Sequence, residues 1–189
     1  MRSKEIPPNL NEDQIKFWLA NTDLTKEELV KWYSEFYEYA RANSGGLDKD
    51  SFIKFFSKLR HKKKNSDDFF KLAFNAFDKD NSGTVDFPEF IVAFNIISNG
   101  DLKKRLEWMF EVYDLNNDKI IDRQEIQTIV KAVLKMSKKK LVGDQTDETK
   151  INELFENLDN NENNKITEDE FVENCMNNVF MREILSPDI

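Results

Sequence analysis

Asp78-Lys79-Asp80-Asn81-Ser82-Gly83-Thr84-Val85-Asp86-Phe87-Pro88-Glu89 is the stretch whose reading decides the fold of this 189-residue chain. Its oxygen-bearing residues recur at the spacing that wraps one backbone loop around a calcium ion. With Asp78 as position 1, the side chains of Asp78, Asp80 and Ser82 point inward from positions 1, 3 and 5. The Thr84 carbonyl supplies position 7, and Glu89 closes the shell bidentately from position 12. Asp86, at position 9, works through a water. Gly83 stands where the chain must turn with φ > 0, which a residue without Cβ does at no steric cost, and Val85 is the apolar eighth residue able to pair with a second loop. So many constraints met in twelve residues set the stretch apart from an accidental acidic turn, provided its flanks are helical.

The flanks fit. Phe70, Phe74 and Phe77 follow one another at i, i+4 and i+7 on the face of an entering helix, with Asn65 and Ser66 offering its N-cap. On the far side Asp86 and Glu89 make a D-x-x-E capping pattern, Pro88 lies in the first turn, and Phe90 and Phe94 stand one turn apart. Helix, loop, helix is an EF-hand.

The pattern recurs. Leu106, Phe110 and Tyr113 lead into a third loop that offers Asp114, Asn116, Asp118, the Ile120 carbonyl and Glu125, with Ile121 at position 8. Lys119 holds the glycine position there, and a non-glycine residue at φ > 0 costs about 1–2 kcal/mol, which predicts roughly ten-fold weaker binding. Leu154, Phe155 and Leu158 lead into a fourth loop with Asp159, Asn161, Asn163, the Lys165 carbonyl and Glu170, and Asn164 at its turn. Only Asp159 and Glu170 bring charge, against Asp78, Asp80, Asp86 and Glu89 in the second loop, so the fourth loop is expected to bind calcium most weakly and is also compatible with Mg2+. The stretch from Ala40 to Ser51 has the length of such a loop and its apolar eighth residue, Leu47. Ala40 and Ala42 at positions 1 and 3 and Ser51 at position 12 leave it without an oxygen shell. The first hand is structural.

The fold expected is therefore all-α: four EF-hands in two pairs, residues 1–97 and 98–189, the first hand inactive. Asn95 to Gly100 reads as the hinge and Lys138 to Thr149 as a polar linker. Ahead of the first loop come a short helix at Asn11 to Ala20 and one opened by the capping box from Thr25 to Glu28.

A chain with 39% apolar and 34% charged residues is globular and soluble. No apolar run is long enough to cross a bilayer and no secretory signal is visible, so a cytoplasmic location is expected. Arg2 occupies the position where N-myristoylation needs glycine, and no lipid anchor is expected. Residues 1–95 hold 15 Lys and Arg against 16 Asp and Glu, whereas residues 96–189 hold 13 against 20, so the second half carries −7 of the net charge of −8. That acidity argues against nucleic-acid binding. Twelve of the 16 Phe lie in the near-neutral first half. His61 to Lys64 reads as a basic, solvated connector, and the lone Cys175 as a small buried apolar residue. No nucleophile stands beside a base, so the chain does not read as an enzyme.

Three stretches resemble the neuronal calcium sensor proteins, the recoverin, frequenin and visinin-like group. They are Ser44 to Leu47 in the inactive first hand, Val85-Asp86-Phe87-Pro88-Glu89-Phe90-Ile91, and Leu106-Glu107-Trp108-Met109-Phe110-Glu111-Val112-Tyr113-Asp114. The resemblance implies that calcium opens the first pair of hands and exposes an aromatic groove for an amphipathic helix of a target protein, with Trp32, Phe36, Phe52, Phe56, Phe90 and Phe94 as groove residues. Ala42 and Asn43 replace the cysteine and proline of that group's first loop, and Arg2 its myristoylated glycine, so its calcium-myristoyl switch does not carry over. Calcineurin B-like proteins, potassium-channel-interacting proteins and the ciliary sensor calaxin share the inactive first hand and remain alternatives. Between a calcium sensor that opens and a calcium buffer that barely does, the four-hand layout and the aromatic first half favour the sensor.

Overall fold

The computed structural model describes residues 10–41, 44–59, 67–137 and 147–185. They form ten helices: α1 (Glu12–Asn21), α2 (Lys26–Ala40), α3 (Lys49–Leu59), α4 (Asp67–Phe77), α5 (Phe87–Asn99), α6 (Leu102–Tyr113), α7 (Arg123–Ser137), α8 (Asp147–Leu158), α9 (Glu168–Asn177) and α10 (Val179–Leu185). The N-cap expected at Asn65 and Ser66 and the basic run at 61–64 lie outside the described residues.

Local chemistry sets the helix starts. Thr25 and Glu28 make the expected capping box, the Thr25 hydroxyl accepting from the Glu28 amide and the Glu28 carboxylate from the Thr25 amide. Asn11 and Gln14 make a second box that opens α1. Asp86 and Glu89 do the same for α5, with Pro88 in its first turn. The expected hinge is helical for most of its length: α5 runs to Asn99, and the break falls at Gly100 and Asp101, where Asp101 caps α6. A Cβ on Gly100 would lie 2.3 Å from the Ile96 carbonyl oxygen, so only glycine fits at this turn. The polar stretch from 138 is also shorter than expected, because α8 already begins at Asp147.

The hands meet in pairs through two antiparallel bridges. The Leu47 and Val85 amides each donate to the other's carbonyl at 2.8 Å, and Ile121 and Ile166 do so at 2.8 and 3.0 Å. The apolar eighth residues thus pair as their position predicted, and all four are fully buried. The two pairs share one continuous apolar core. Helix α4 packs on α3 of its own pair and on α6 and α7 of the other, with Phe77 edge-on to Trp108 at 5.3 Å. Two ion pairs cross the same boundary, Lys79 to Glu111 at 2.6 Å and Lys135 to Asp68. Both are about half exposed, so their geometry matters more than their energy.

Helix α10 has no counterpart in the sequence reading. It lies against α7 and α9, and the buried Tyr113 hydroxyl donates to the Leu185 carbonyl at 2.6 Å, fastening α10 to the third hand. Burial pushes the Tyr113 phenol well above its ordinary range. Cys175 is buried as expected, its thiol pushed up to about 12 by desolvation. Among the described residues no helix is long and apolar enough to cross a membrane.

Candidate metal centres

Five charged side chains are buried among the described residues: Asp78, Asp114, Glu125, Asp159 and Glu170. All are acids, and all stand at position 1 or 12 of the three loops. A carboxylate removed from water without compensation is costly, and none of the ion pairs among the described residues uses these five. Backbone amides meet part of that cost. In each loop the position 1 carboxylate straddles the turn: Asp78 accepts from the Ser82 and Gly83 amides at 2.9 and 3.0 Å. Asp114 accepts from Asp118 and Lys119 at 3.0 and 2.9 Å. Asp159 accepts from Asn163 and Asn164 at 3.1 and 2.7 Å.

Position 6 is left-handed in all three, at φ 84° for Gly83, 68° for Lys119 and 62° for Asn164. Lys119 thus adopts the strained conformation that its position requires. Position 4 is left-handed too, in Asn81, Asn117 and Glu162, at φ 54°, 58° and 57°. Sequence reasoning missed this second turn, although two of its three residues are Asn, the type that tolerates it best. The first loop is built differently, with consecutive positive φ at Ser44 and Gly45.

Position 12 is held from two sides. Glu89 accepts from the Lys79 and Asp80 amides on one oxygen, at 2.8 and 3.3 Å, and from Asp86 on the other at 2.9 Å. Glu125 repeats this with Leu115, Asn116 and Asp122. Burial raises the Glu125 carboxyl above its ordinary value, against the lowering effect of those three amides. Glu170 differs: Thr167 holds one oxygen, but the other accepts from the Asn161 side-chain amide at 2.7 Å. The capping pair at positions 9 and 12 therefore recurs in all three loops. The D-x-x-E at Asp122 and the T-x-x-E at Thr167 were its sequence signals.

In the second loop Asp78, Asp80 and Glu89 each bring a carboxylate oxygen within 4.8 Å of the others. Ser82 Oγ donates to the Thr84 carbonyl at 2.8 Å and lies 3.4 Å from Asp78 Oδ1. These are hard oxygen donors of the kind calcium takes, so the loop fits the ion. In the third loop Asn116 and Asp118 accept from the Asp118 and Ile120 amides. Asn161 and Asn163 do likewise in the fourth, from Asn163 and Lys165. The first loop brings no acid to positions 1 or 12, and Asp48 caps α3 through the Ser51 amide.

Of the six residues expected to line a groove, Phe36, Phe52, Phe56 and Phe90 are buried in the core of the first pair. Trp32 and Phe94, their rings 4.3 Å apart, sit half-buried at its edge. The six are therefore one cluster, but a closed one. A cleft of about 780 Å³, lined in part by Phe36 of that cluster, opens between α1, α2, the first loop and the start of α5, where Phe17, Trp18, Tyr33, Tyr37, Arg41 and Phe87 also line it.

A family model described as an EF-hand domain pair matches residues 103–176, and one described as an EF hand domain matches residues 69–97. The chain is 32% identical over 188 residues to S-modulin of Aquarana catesbeiana, an alignment covering 97% of this chain and 86% of that protein. It is 33% identical over 165 residues to the guanylyl cyclase inhibitory protein of Lithobates pipiens, covering 86% and 79%.

Proposed function

The chain belongs to the recoverin-like neuronal calcium sensor family of EF-hand calcium-binding proteins, and from that premise we propose that it senses calcium with its second, third and fourth loops and regulates a target protein. The observation that carries this reading is the coincidence of buried acids with ligand positions: five carboxylates are held out of water, none in an ion pair among the described residues, each where a calcium loop needs one. Calcium, when bound, supplies the positive charge. The protein holds it with the Asp78, Asp80 and Glu89 carboxylates, Ser82 Oγ and the Thr84 carbonyl in the second loop. Asp114, Asn116, Asp118, Glu125 and the Ile120 carbonyl serve in the third, and Asp159, Asn161, Asn163, Glu170 and the Lys165 carbonyl in the fourth. The fourth is the weakest, being poor in charge and having Asn161 already spent on Glu170.

Relief of the strain at Lys119 should show directly. Lys119→Gly is expected to tighten the third loop up to about ten-fold, the equivalent of the ~1–2 kcal/mol that a side chain costs at positive φ. Calorimetric titration checks it, and unchanged affinity together with unchanged stability would refute the strain.

The two pairs, divided at Gly100, take different parts in this reading. The second pair is acidic, whereas the first buries Phe36, Phe52, Phe56 and Phe90 behind the edge formed by Trp32 and Phe94. Opening of the first pair would turn that cluster into a groove for the apolar face of a target helix. The name of one relative makes a guanylyl cyclase a candidate target. In this reading the protein works in the cytoplasm and reaches membranes through its target. Calcium should raise the fluorescence of a hydrophobic dye and change the Trp emission. If calcium binds and neither signal moves, the buffer reading replaces the sensor.

A further inference from the structure

The geometry assigns to Gly46, in the hand that binds no metal, the positioning of a calcium ligand in its neighbour. Gly46 is buried beside Thr84, and a Cβ on it would lie 3.0 Å from both Thr84 Cβ and Thr84 Oγ1 and 3.4 Å from the Val85 carbonyl oxygen. Turning the Thr84 side chain relieves only the Oγ1 contact; the Cβ contact yields only if backbone moves. That backbone is pinned on one side by the two 2.8 Å bonds between Leu47 and Val85. On the other it carries the Thr84 carbonyl, the position 7 ligand, which accepts from Ser82 Oγ at 2.8 Å. A methyl group at residue 46 therefore pushes the chain where the second loop presents its backbone oxygen. Gly46 is a positioning residue, and the first hand is a template for the second site as well as a packing partner. The inference rests on the reading of the second loop as a calcium site.

The test uses the full chain carrying Glu125→Gln and Glu170→Gln, so that calorimetric titration with calcium reports the second loop. Gly46→Ala in this parent is expected to weaken binding roughly ten-fold, the low end of what the outer partners of metal ligands contribute. Thr84→Gly removes the obstructed Cβ and keeps the carbonyl. In a Thr84→Gly background the same Gly46→Ala change is expected to cost less than about two-fold, the coupling that a double-mutant cycle isolates. A change of affinity that is the same in both backgrounds, or no change in either, overturns the inference. If Gly46→Ala alone does not fold, the double variant must fold and bind like Thr84→Gly, and its failure to do so overturns it equally. A parent that takes up no calcium refutes the second-loop reading, and the inference with it; a parent that binds separates the two.

Discussion

Glu89→Gln is expected to lower calcium affinity at the second loop by at least about 100-fold, since even the outer partners of metal ligands contribute 10–100-fold. The substitution keeps the volume and one oxygen, so the helix start should survive: the amide oxygen it leaves can still accept from the Asp86 backbone N–H as Glu89 does. What it removes is the negative charge that a bound calcium would draw on at the closing position, next to Asp78 and Asp80. Calorimetric titration of the single variant reads this as the disappearance of the tight second-loop site while the weaker binding of the third and fourth loops persists. Parental stoichiometry and affinity in the Glu89→Gln protein would refute the assignment.

Phe90→Ala is expected to destabilise the first pair by about 3–5 kcal/mol and to lower the thermal midpoint by roughly 10 °C. Phe90 is fully buried at the centre of the cluster, its ring 5.2 Å from Phe55, 5.3 Å from Phe36 and 5.5 Å from Phe94. Large rings on neighbouring helices surround the space it would leave, and rigid neighbours collapse poorly into a cavity. Thermal unfolding followed by circular dichroism measures the shift. A midpoint within about 3 °C of the parent would mean that the ring is not packed as described.

The loops were legible in the sequence because an oxygen shell imposes its residue types at fixed intervals, and each interval is local. Asp78 to Glu89 could be read alone, and so could the absence of acids at the first and last positions of Ala40 to Ser51. The eighth residues Leu47, Val85, Ile121 and Ile166 were legible for the same reason, and their pairing followed once the hands were counted. Harder to read was whatever depends on two distant segments. Gly46 stands out only after Thr84 is placed against it, and α10 only after Tyr113 is seen to hold Leu185. The Phe stripes stated which helix faces turn inward, but not whether those faces meet one another or a partner. In this structure Phe36, Phe52, Phe56 and Phe90 meet one another.

The two bridges distribute the loops unevenly. Loops three and four, both proposed calcium sites, share one bridge, while loop two shares its bridge with the first loop, which brings no acid to positions 1 or 12. Filling loop three can therefore ease the filling of loop four, giving a response steeper than a single-site curve within the second pair. On the proposed reading loop two has no filled neighbour inside its own pair, so the first pair is expected to follow calcium along a simple saturation curve. The half of the chain that carries the aromatic cluster would then report the ion as a graded dial, and the acidic half as a sharper step.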